Sequence, residues 1–352
     1  MTKQVEIFDQ TQGRMPLFLP GLDALLRAGF ALRLVTAQNT RHFIERVVPG
    51  GAAIKWGKTA EEQVRMQVAL GDRPEMAQRA DARHIVFPLL PEDLAGQYEK
   101  WVGRENVVPL GGETILAHAI GDVPSLVDFL HRAFSPRKLA GKKVLVTAGP
   151  TAEDLDPVRF LTNRSSGKMG IALARAAFIA GADVQLVLGP TTVAVPRYLV
   201  VQRVRSAQEM ARAVLQAAPQ FDVYIGAAAV ADFTPAVRED EKIKKSENGL
   251  QIRLKRTTDI LKALSELPRH PLLVGFSVET ENVRPNSLKK LKRKNLDMII
   301  ANNPKEAGAA FGVDTNKVTL LTADGQSEEW PLMSKMQVSE KIMERIAKVL
   351  NR

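Results

Sequence analysis

Six short aliphatic and β-branched runs recur between residues 144 and 321, with stretches of helical period between several of them. The runs are 144–147, 184–188, 223–227, 272–276, 298–301 and 318–321. Most are continuous rather than alternating, as expected of strands covered on both faces. Helical patterns fall at 169–180, 207–217 and 260–267. A last helix begins near Ser334, where Ser334 and Gln337 fit a capping box. Met336, Ile342, Ile346 and Val349 then give it an apolar stripe. Strands alternating with helices need crossover connections, so the reading is α/β: a Rossmann-like, doubly wound sheet with ligands at the carboxyl ends of its strands.

A chain of 352 residues suggests about two domains. The segment SPRKLAG at 135–141 carries proline, glycine and basic residues between two folded patterns, which divides the chain into domains 1–137 and 138–352. The first is expected to be a smaller α/β unit, with a helix at 22–28 and strands at 32–35 and 84–88. No apolar stretch approaches the ~18 residues of a membrane span. The start, MTKQVEIFDQTQ, lacks a signal peptide's apolar core, so a cytoplasmic protein with no membrane partner is expected. The absence of cysteine excludes disulfides, a cysteine nucleophile and a thiolate metal site.

Residues 144–170 read VLVTAGPTAEDLDPVRFLTNRSSGKMG. A strand stops at Ala148-Gly149-Pro150, a polar loop follows, and Ser165-Ser166-Gly167 leads into a helix of small residues. Strand, glycine turn and helix N-terminus make a phosphate-binding arrangement. Glycine admits a ligand to the backbone, and the first helical N–H groups point at anionic oxygens. The segment is not a Walker loop, since Met169 follows Gly167-Lys168, and it lacks the dinucleotide Gly-x-Gly-x-x-Gly. The loop is about twice the common length of such a connection, which points to a second ligand or a subunit contact. A generic strand–loop–helix connection is the competing reading.

Residues 225–232 read IGAAAVAD. Gly226, Ala227 and Ala228 at a strand end leave the backbone open to a flat ligand. Asp232 can then accept from ribose hydroxyls or a base amine, or help hold a metal. Close helix–strand packing with a capping aspartate explains the same residues. Two lysine-rich runs follow, EKIKK at 241–245 and KKLKRK at 289–294. Lys290 and Lys294 are four apart, so one helix face can present both ammoniums to a polyphosphate. A solvated charged face is the alternative. The balance of 49 Lys+Arg against 39 Asp+Glu, a net +10, favours nucleic acid or phosphorylated metabolites as partners. Aromatic residues at 5% argue against base-stacking platforms for single strands. His42, His84, His118, His131 and His270 show no metal-ligand spacing.

Four strings stand in fixed order: TAGPT…DPVRFLTNRSSGKMG, AAAVADF…EKIKK, TTDIL, and VGFSVET…KKLKRKNLDMIIANN. Together, over roughly residues 142–350, they resemble the synthetase half of the bifunctional coenzyme A biosynthesis flavoproteins. That half is phosphopantothenate–cysteine ligase, also called phosphopantothenoylcysteine synthetase. The resemblance implies a Rossmann-like ligase, usually a homodimer. CTP, with ATP as the alternative, would activate the carboxylate of 4′-phosphopantothenate as an acyl-nucleotide with Mg²⁺ assisting, and the cysteine amine would then displace CMP. It also implies nucleotide contacts from Gly226, Ala227, Ala228, Asp232 and Lys242. A further wall would come from Thr258, Asp259, Ile260 and Leu261, with Phe276 against the base and Lys290 and Lys294 on the triphosphate. Asn163 would handle the acyl intermediate. Arg159 would hold substrate, from the neighbouring subunit, and Lys242 would stabilise charge during cytidylyl transfer. The chain departs from the family at Thr257-Thr258-Asp259, where many relatives have Asn-Pro-Asp.

In that family the N-terminal half is a flavin-dependent decarboxylase of flavodoxin-like type. Here residues 5–11 offer no glycine loop, Leu89-Leu90-Pro91-Glu92 replaces the small flavin-facing strip, and no Pro-x-Met-Asn follows. The expectation is a degenerate domain that binds no FMN, kept for oligomer contacts or regulation. The competing functions are a paralogue acting on another carboxylate and amine, a basic nucleic-acid-binding protein, and a nicotinamide-dependent reductase. The missing glycine fingerprint weighs against the last, and the lack of any nucleic-acid-binding motif weighs against the second.

Overall fold

The computed structural model describes residues 135–196, 198–244 and 250–351. Within residues 1–134 it describes five strands and short pieces at 25–28, 127–128 and 131–132. The chain divides into two compact units, residues 1–134 and 135–352.

In the first unit β1 (Lys3–Gln10), β2 (Phe30–Val35), β3 (Lys55–Trp56), β4 (Gln67–Gly71) and β5 (His84–Pro88) form one sheet in the order β3-β2-β1-β4-β5. Every pairing is parallel. Parallel neighbours require crossovers, so the expected α/β unit is a doubly wound sheet whose order reverses between β1 and β4. The strands expected at 32–35 and 84–88 are present. The helix expected at 22–28 is helical at 25–27, and its first residues lie outside the described ones. Thr11, His42, His118 and the flavin-strip replacement at 89–92 also lie outside the described residues.

The second unit is built on eight strands: β6 (Lys143–Ala148), β9 (Asp183–Leu188), β10 (Val200–Arg203), β11 (Val223–Gly226), β14 (Leu272–Val278), β15 (Met298–Asn302), β16 (Thr315–Thr322) and β17 (Ser327–Ser334). Their order is β10-β9-β6-β11-β14-β15-β16-β17. The first six are parallel, β16 runs antiparallel to β15, and β17 turns back antiparallel to β16. Reading outward from β6 gives the doubly wound order of dinucleotide-binding sheets, with the reversal between β6 and β11. All six expected strands are there. The two that sequence periodicity missed, β10 and β17, are the polar sheet edges.

Successive residues of β6 face opposite sides, as the two-residue period of a strand requires. Val144, Val146 and Ala148 pack against α1 (Lys168–Ile179) and α5 (Lys335–Leu350). Leu145 packs with α2 (Ala207–Ala217), α3 (Ile260–Ser265) and α4 (Val283–Arg293). Burying one such aliphatic side chain contributes on the order of 2 kcal/mol, so the three-layer sandwich is held mainly by these two apolar faces. The capping box of α5 is formed, with Ser334 Oγ accepting from Gln337 N at 3.1 Å and Gln337 Oε1 from Ser334 N at 2.9 Å. Gly170 lets α1 lie directly on the end of β6, since a Cβ there would come within 2.4 Å of the Ala148 Cβ. That contact fixes where the N-terminus of α1 sits.

The long loop after β6 is itself structured. β7 (Ala152–Asp154) pairs antiparallel with β8 (Phe160–Thr162). Its turn is tied by buried Asp156, whose Oδ1 accepts from Val158 N and Arg159 N, both at 2.7 Å. A second small pair, β12 (Phe233–Pro235) and β13 (Leu254–Arg256), follows β11. Among the described residues no helix is long and apolar enough to cross a membrane.

Candidate active site

A cleft of about 400 Å³ lies beyond the carboxyl ends of β11, β14 and β15. Two of its walls follow β6 and β11, where the order of the sheet reverses. Those strands stay knit past their ends: Ala229 N donates to Gly149 O at 2.9 Å and Thr151 N to Ala229 O at 3.3 Å. The crevice is therefore displaced toward Phe276 and Val278 of β14, Asn302 of β15, and the segment 309–312.

One wall is the start of α1. Gly167, its N-cap, has φ +82° and supplies no side-chain cap, and no acidic residue occupies the first turn. The hydroxyls before the helix accept only at long range, Ser165 Oγ from Gly167 N at 3.3 Å and Ser166 Oγ from Lys168 N at 3.5 Å, so the helix dipole can still meet an anion. Thr191 Oγ1 donates to Ser166 O at 2.7 Å and fixes the approach to the helix. Three cations, Arg164, Lys168 and Lys335, and no carboxylate are among the described residues lining the cleft. Burial pushes the Lys335 ammonium below the ordinary lysine value, with Asp314 working against that and Lys168 reinforcing it.

The opposite wall is the alanine strip. Asn163 Nδ2 donates to Ala229 O at 2.9 Å, which brings the long loop onto the strand end. Ala231 N donates to Thr151 Oγ1 at 3.0 Å and Ala228 N to Thr147 Oγ1 at 3.4 Å. Thr147 Oγ1 also meets the Tyr224 hydroxyl at 3.3 Å. Burial drives the Tyr224 pKa far above its usual value, so this hydroxyl stays protonated at working pH. Two threonines and a tyrosine under the strip hold its backbone in place.

Of the residues singled out from the sequence, Asn163, Ala227, Ala228 and Phe276 line this cleft together. Gly226 adjoins it, but its missing side chain serves packing: a Cβ would come within 3.3 Å of the Tyr224 ring and 3.6 Å of Leu261. Ile260 is buried in the core beneath the sheet, with Leu261 packed against that core. Lys290 and Lys294 do not share a target. Lys290 pairs with Glu279 at 2.7 Å and Lys294 with Asp259 at 2.9 Å, because each lies beside a carboxylate of a different element. Asp259 is also the N-cap of α3, accepting from Lys262 N. Burial works to raise the Glu279 carboxyl, but hydrogen bonds from Lys290, Ser277 and Asn286 and the Lys290 charge hold it below the ordinary range.

Arg159 and Lys242 form a separate group at the β7–β8 turn. Arg159 donates to Asp156 and to Ile243 O, each at 3.3 Å, and Ile243 N donates to Asp156 at 3.1 Å, leaving the Lys242 side chain exposed. Asp232 is exposed beyond β11. Thr258 lines a second cleft, of about 480 Å³, between β7, β12–β13 and the start of α2. The sequence reading passed over Lys168, Lys335 and Asn302. Lys168 enters it only as the residue before Met169, which breaks the Walker pattern, and Lys335 is not named in it.

Residues 139–350 match the family described as the DNA/pantothenate metabolism flavoprotein C-terminal domain. The coenzyme A biosynthesis bifunctional protein CoaBC of Bacillus subtilis (strain 168) is 50% identical over 210 residues, covering 59% of this chain and 52% of the relative. A cysteine/cysteine sulfinic acid decarboxylase of an unknown prokaryotic organism is 44% identical over 220 residues, 62% of this chain and 61% of that protein. The CoaBC protein of Vibrio vulnificus (strain CMCP6) is 35% identical over 308 residues, 82% of this chain and 76% of its own length. A crystal structure of the C-terminal domain of a CoaBC protein superposes with a TM-score of 0.53 at 43% identity, covering 61% of this chain and 98% of that one. The chain thus spans about half to three-fifths of the length of the first two relatives.

Proposed function

The chain belongs to the family of the DNA/pantothenate metabolism flavoprotein C-terminal domain, and from that premise we propose that it is a ligase of coenzyme A biosynthesis. It joins 4′-phosphopantothenate to cysteine at the expense of CTP. The observation that carries the reading is the cleft itself: Asn163, Ala227, Ala228 and Phe276 line it together with a helix N-terminus whose N-cap glycine offers no side chain and three cations, with no carboxylate among the described lining residues and Lys168 paired to Asp314 outside them.

A carboxylate is a poor electrophile until one oxygen becomes a leaving group. In the proposed reaction a carboxylate oxygen of 4′-phosphopantothenate attacks the α-phosphorus of CTP, giving the acyl-cytidylate and releasing pyrophosphate. The cysteine amine then attacks the acyl carbon, CMP departs, and the amine's proton leaves to solvent. The start of α1 and the nearby ammoniums face the charge shed onto pyrophosphate, where preorganised dipoles lower the barrier. Phe276 offers an apolar surface for the base. Asn163, fixed by Ala229 O, can present its amide to the acyl group. Lys290 and Lys294 reach the nucleotide only by leaving Glu279 and Asp259.

Among the described residues no group of three histidines or carboxylates could hold a metal. That fits a Mg²⁺ carried on the nucleotide, which would take one protein carboxylate, with Asp232 the candidate. The ion would neutralise phosphate charge.

We assign Lys242 and Arg159 to the neighbouring subunit's site in a homodimer. Val158, Phe160, Phe233, Val237 and Leu254 are exposed on and beside the two small strand pairs, which suits burial against a second copy. The first unit would bind no FMN; a purified protein with a stoichiometric flavin spectrum would overturn that. The ligase reading is tested by release of pyrophosphate and CMP from CTP, which must require both 4′-phosphopantothenate and cysteine. Absence of turnover with CTP and with ATP would overturn it.

A further inference from the structure

We propose that Lys168 and Lys335, rather than Lys290 and Lys294, are the first cations to receive the nucleotide's polyphosphate, with Lys168 exchanging Asp314 for a phosphate oxygen. This rests on the reading of the cleft as a nucleotide site. Lys168 opens α1, and its Nζ donates to Gly312 O and to Asp314 Oδ1, both at 2.7 Å. Lys335 opens α5, and its Nζ donates to the carbonyls of Val313 and Thr315, the latter at 2.9 Å. Its backbone N–H donates to Asp314 O at 2.8 Å. Two lysines distant in sequence thus grip four successive residues, 312–315, and both line the cleft.

Fastening that strap does not by itself call for a charge at Lys335. The residue is only 9% exposed, and burial disfavours an ammonium. It occupies the first position of a helix, where the dipole repels a cation, and it feels the charge of Lys168. Its described hydrogen-bond partners are carbonyl dipoles, while the Asp314 carboxylate is hydrogen-bonded to Lys168. One exposed carboxylate, Asp314, serves both ammoniums, and an anion in the cleft supplies the second counter-charge. Lys290 and Lys294 already hold carboxylates and are not among the described lining residues. Lysine suits the exchange, being a point charge on a flexible stem. Asp314, whose side chain is 87% exposed, can be returned to water at little cost.

The test is calorimetric titration of CTP into the full chain and four variants, with folding checked by near-UV circular dichroism. Lys335→Gln should weaken binding by about tenfold or more, the size of one charge-assisted hydrogen bond. Lys335→Arg should recover most of that loss. Asp314→Asn frees Lys168 and should tighten binding by about two- to fivefold. Lys290→Gln should lose less than Lys335→Gln. The proposal is overturned if Lys335→Gln binds like the parent, if Arg rescues no better than Gln, or if Lys290→Gln is the more damaging. It is equally overturned if Asp314→Asn weakens binding as Lys335→Gln does, which would mean the lysines only fasten the strap. A parent protein that binds neither CTP nor ATP would instead remove the nucleotide reading, a result distinct from all of these.

Discussion

Two clefts lie against the second unit's sheet, each reached by the N-terminus of a helix, and they differ in what those termini are given. At the second cleft α2 is fully served. Ser206 Oγ accepts from Glu209 N at 3.2 Å, and buried Glu153 accepts from Ala207 N at 2.8 Å. Two of the cleft's four described lining cations share a carboxylate as well. Arg205 grips Asp154 with contacts of 2.6 to 3.3 Å, and Arg238 lies 3.8 Å from the same carboxylate. The hydrogen bond from Arg205 is the main reason the Asp154 carboxyl sits below its usual range, burial opposing it. At the first cleft α1 begins at a glycine with no side-chain cap, and no carboxylate is among the described lining residues, Lys168 reaching Asp314 outside them. Cavity size does not separate the two, whereas the charge of the lining does: no described carboxylate lines the first, while Glu153, Asp154 and Glu209 line the second. A helix start held by a buried carboxylate is structural, and one met only by long serine contacts has room for a ligand anion.

The sharpest way to break this contrast is at the chemistry. Asn163→Asp replaces the donor to Ala229 O with a second acceptor. It should let the acyl-nucleotide form yet stall its conversion, with turnover falling by about 10²-fold or more. Lys242→Gln should instead slow formation of the intermediate, by about 3 kcal/mol of barrier. Rapid-quench measurement of the two half-reactions separates them, and equal loss at both steps in both variants would show the roles are misassigned.

A smaller effect should come from the packing that aims α1. Gly170→Ala places a methyl 2.4 Å from the Ala148 Cβ, and relief of that clash should cost about 1–3 kcal/mol in urea unfolding. Nucleotide affinity should fall with it, because the helix start moves off the cleft. At the second cleft, Arg205→Ala removes a half-exposed ion pair. It should lower stability by less than about 1 kcal/mol and leave CTP affinity unchanged. Loss of CTP binding in Arg205→Ala would erase the distinction between the clefts.

The smallest effect is in acid. Glu279 is held below its ordinary pKa in the folded chain. Its contribution is therefore complete above the usual carboxylate range near pH ~4, and is lost as pH falls through the lower folded value. Urea midpoints followed from pH 5 to 3 should drop more steeply for the parent than for Glu279→Gln, which cannot titrate. Parallel curves would mean the Glu279–Lys290 pair contributes nothing.

The sheet was legible because its central strands are buried on both faces and so read as unbroken apolar runs. β10 and β17 were not, since an edge strand such as Ser-Glu-Glu-Trp-Pro-Leu-Met-Ser can satisfy its exposed side with polar residues. The β7–β8 pair hid in a loop because three-residue strands carry too few side chains to show a period. At the site, the alanine strip was legible as small residues at a strand end, while Asn163 and Phe276 came from the family resemblance alone. Lys290 and Lys294 illustrate the limit. Their spacing correctly places them one turn apart, but sequence does not reveal that Glu279 and Asp259 stand beside them. Lys335 was invisible for the converse reason. Nothing local marks a first-turn lysine as buried, and its meaning comes from convergence with Lys168.

The central claim is that the first cleft activates a carboxylate with a nucleotide. It is tested most directly by mass spectrometry of the protein incubated with CTP and 4′-phosphopantothenate, with cysteine withheld. The account predicts a bound species with the mass of the mixed anhydride, and one pyrophosphate released for each. Intact CTP with no such species, while cysteine-containing reactions still turn over, would contradict it.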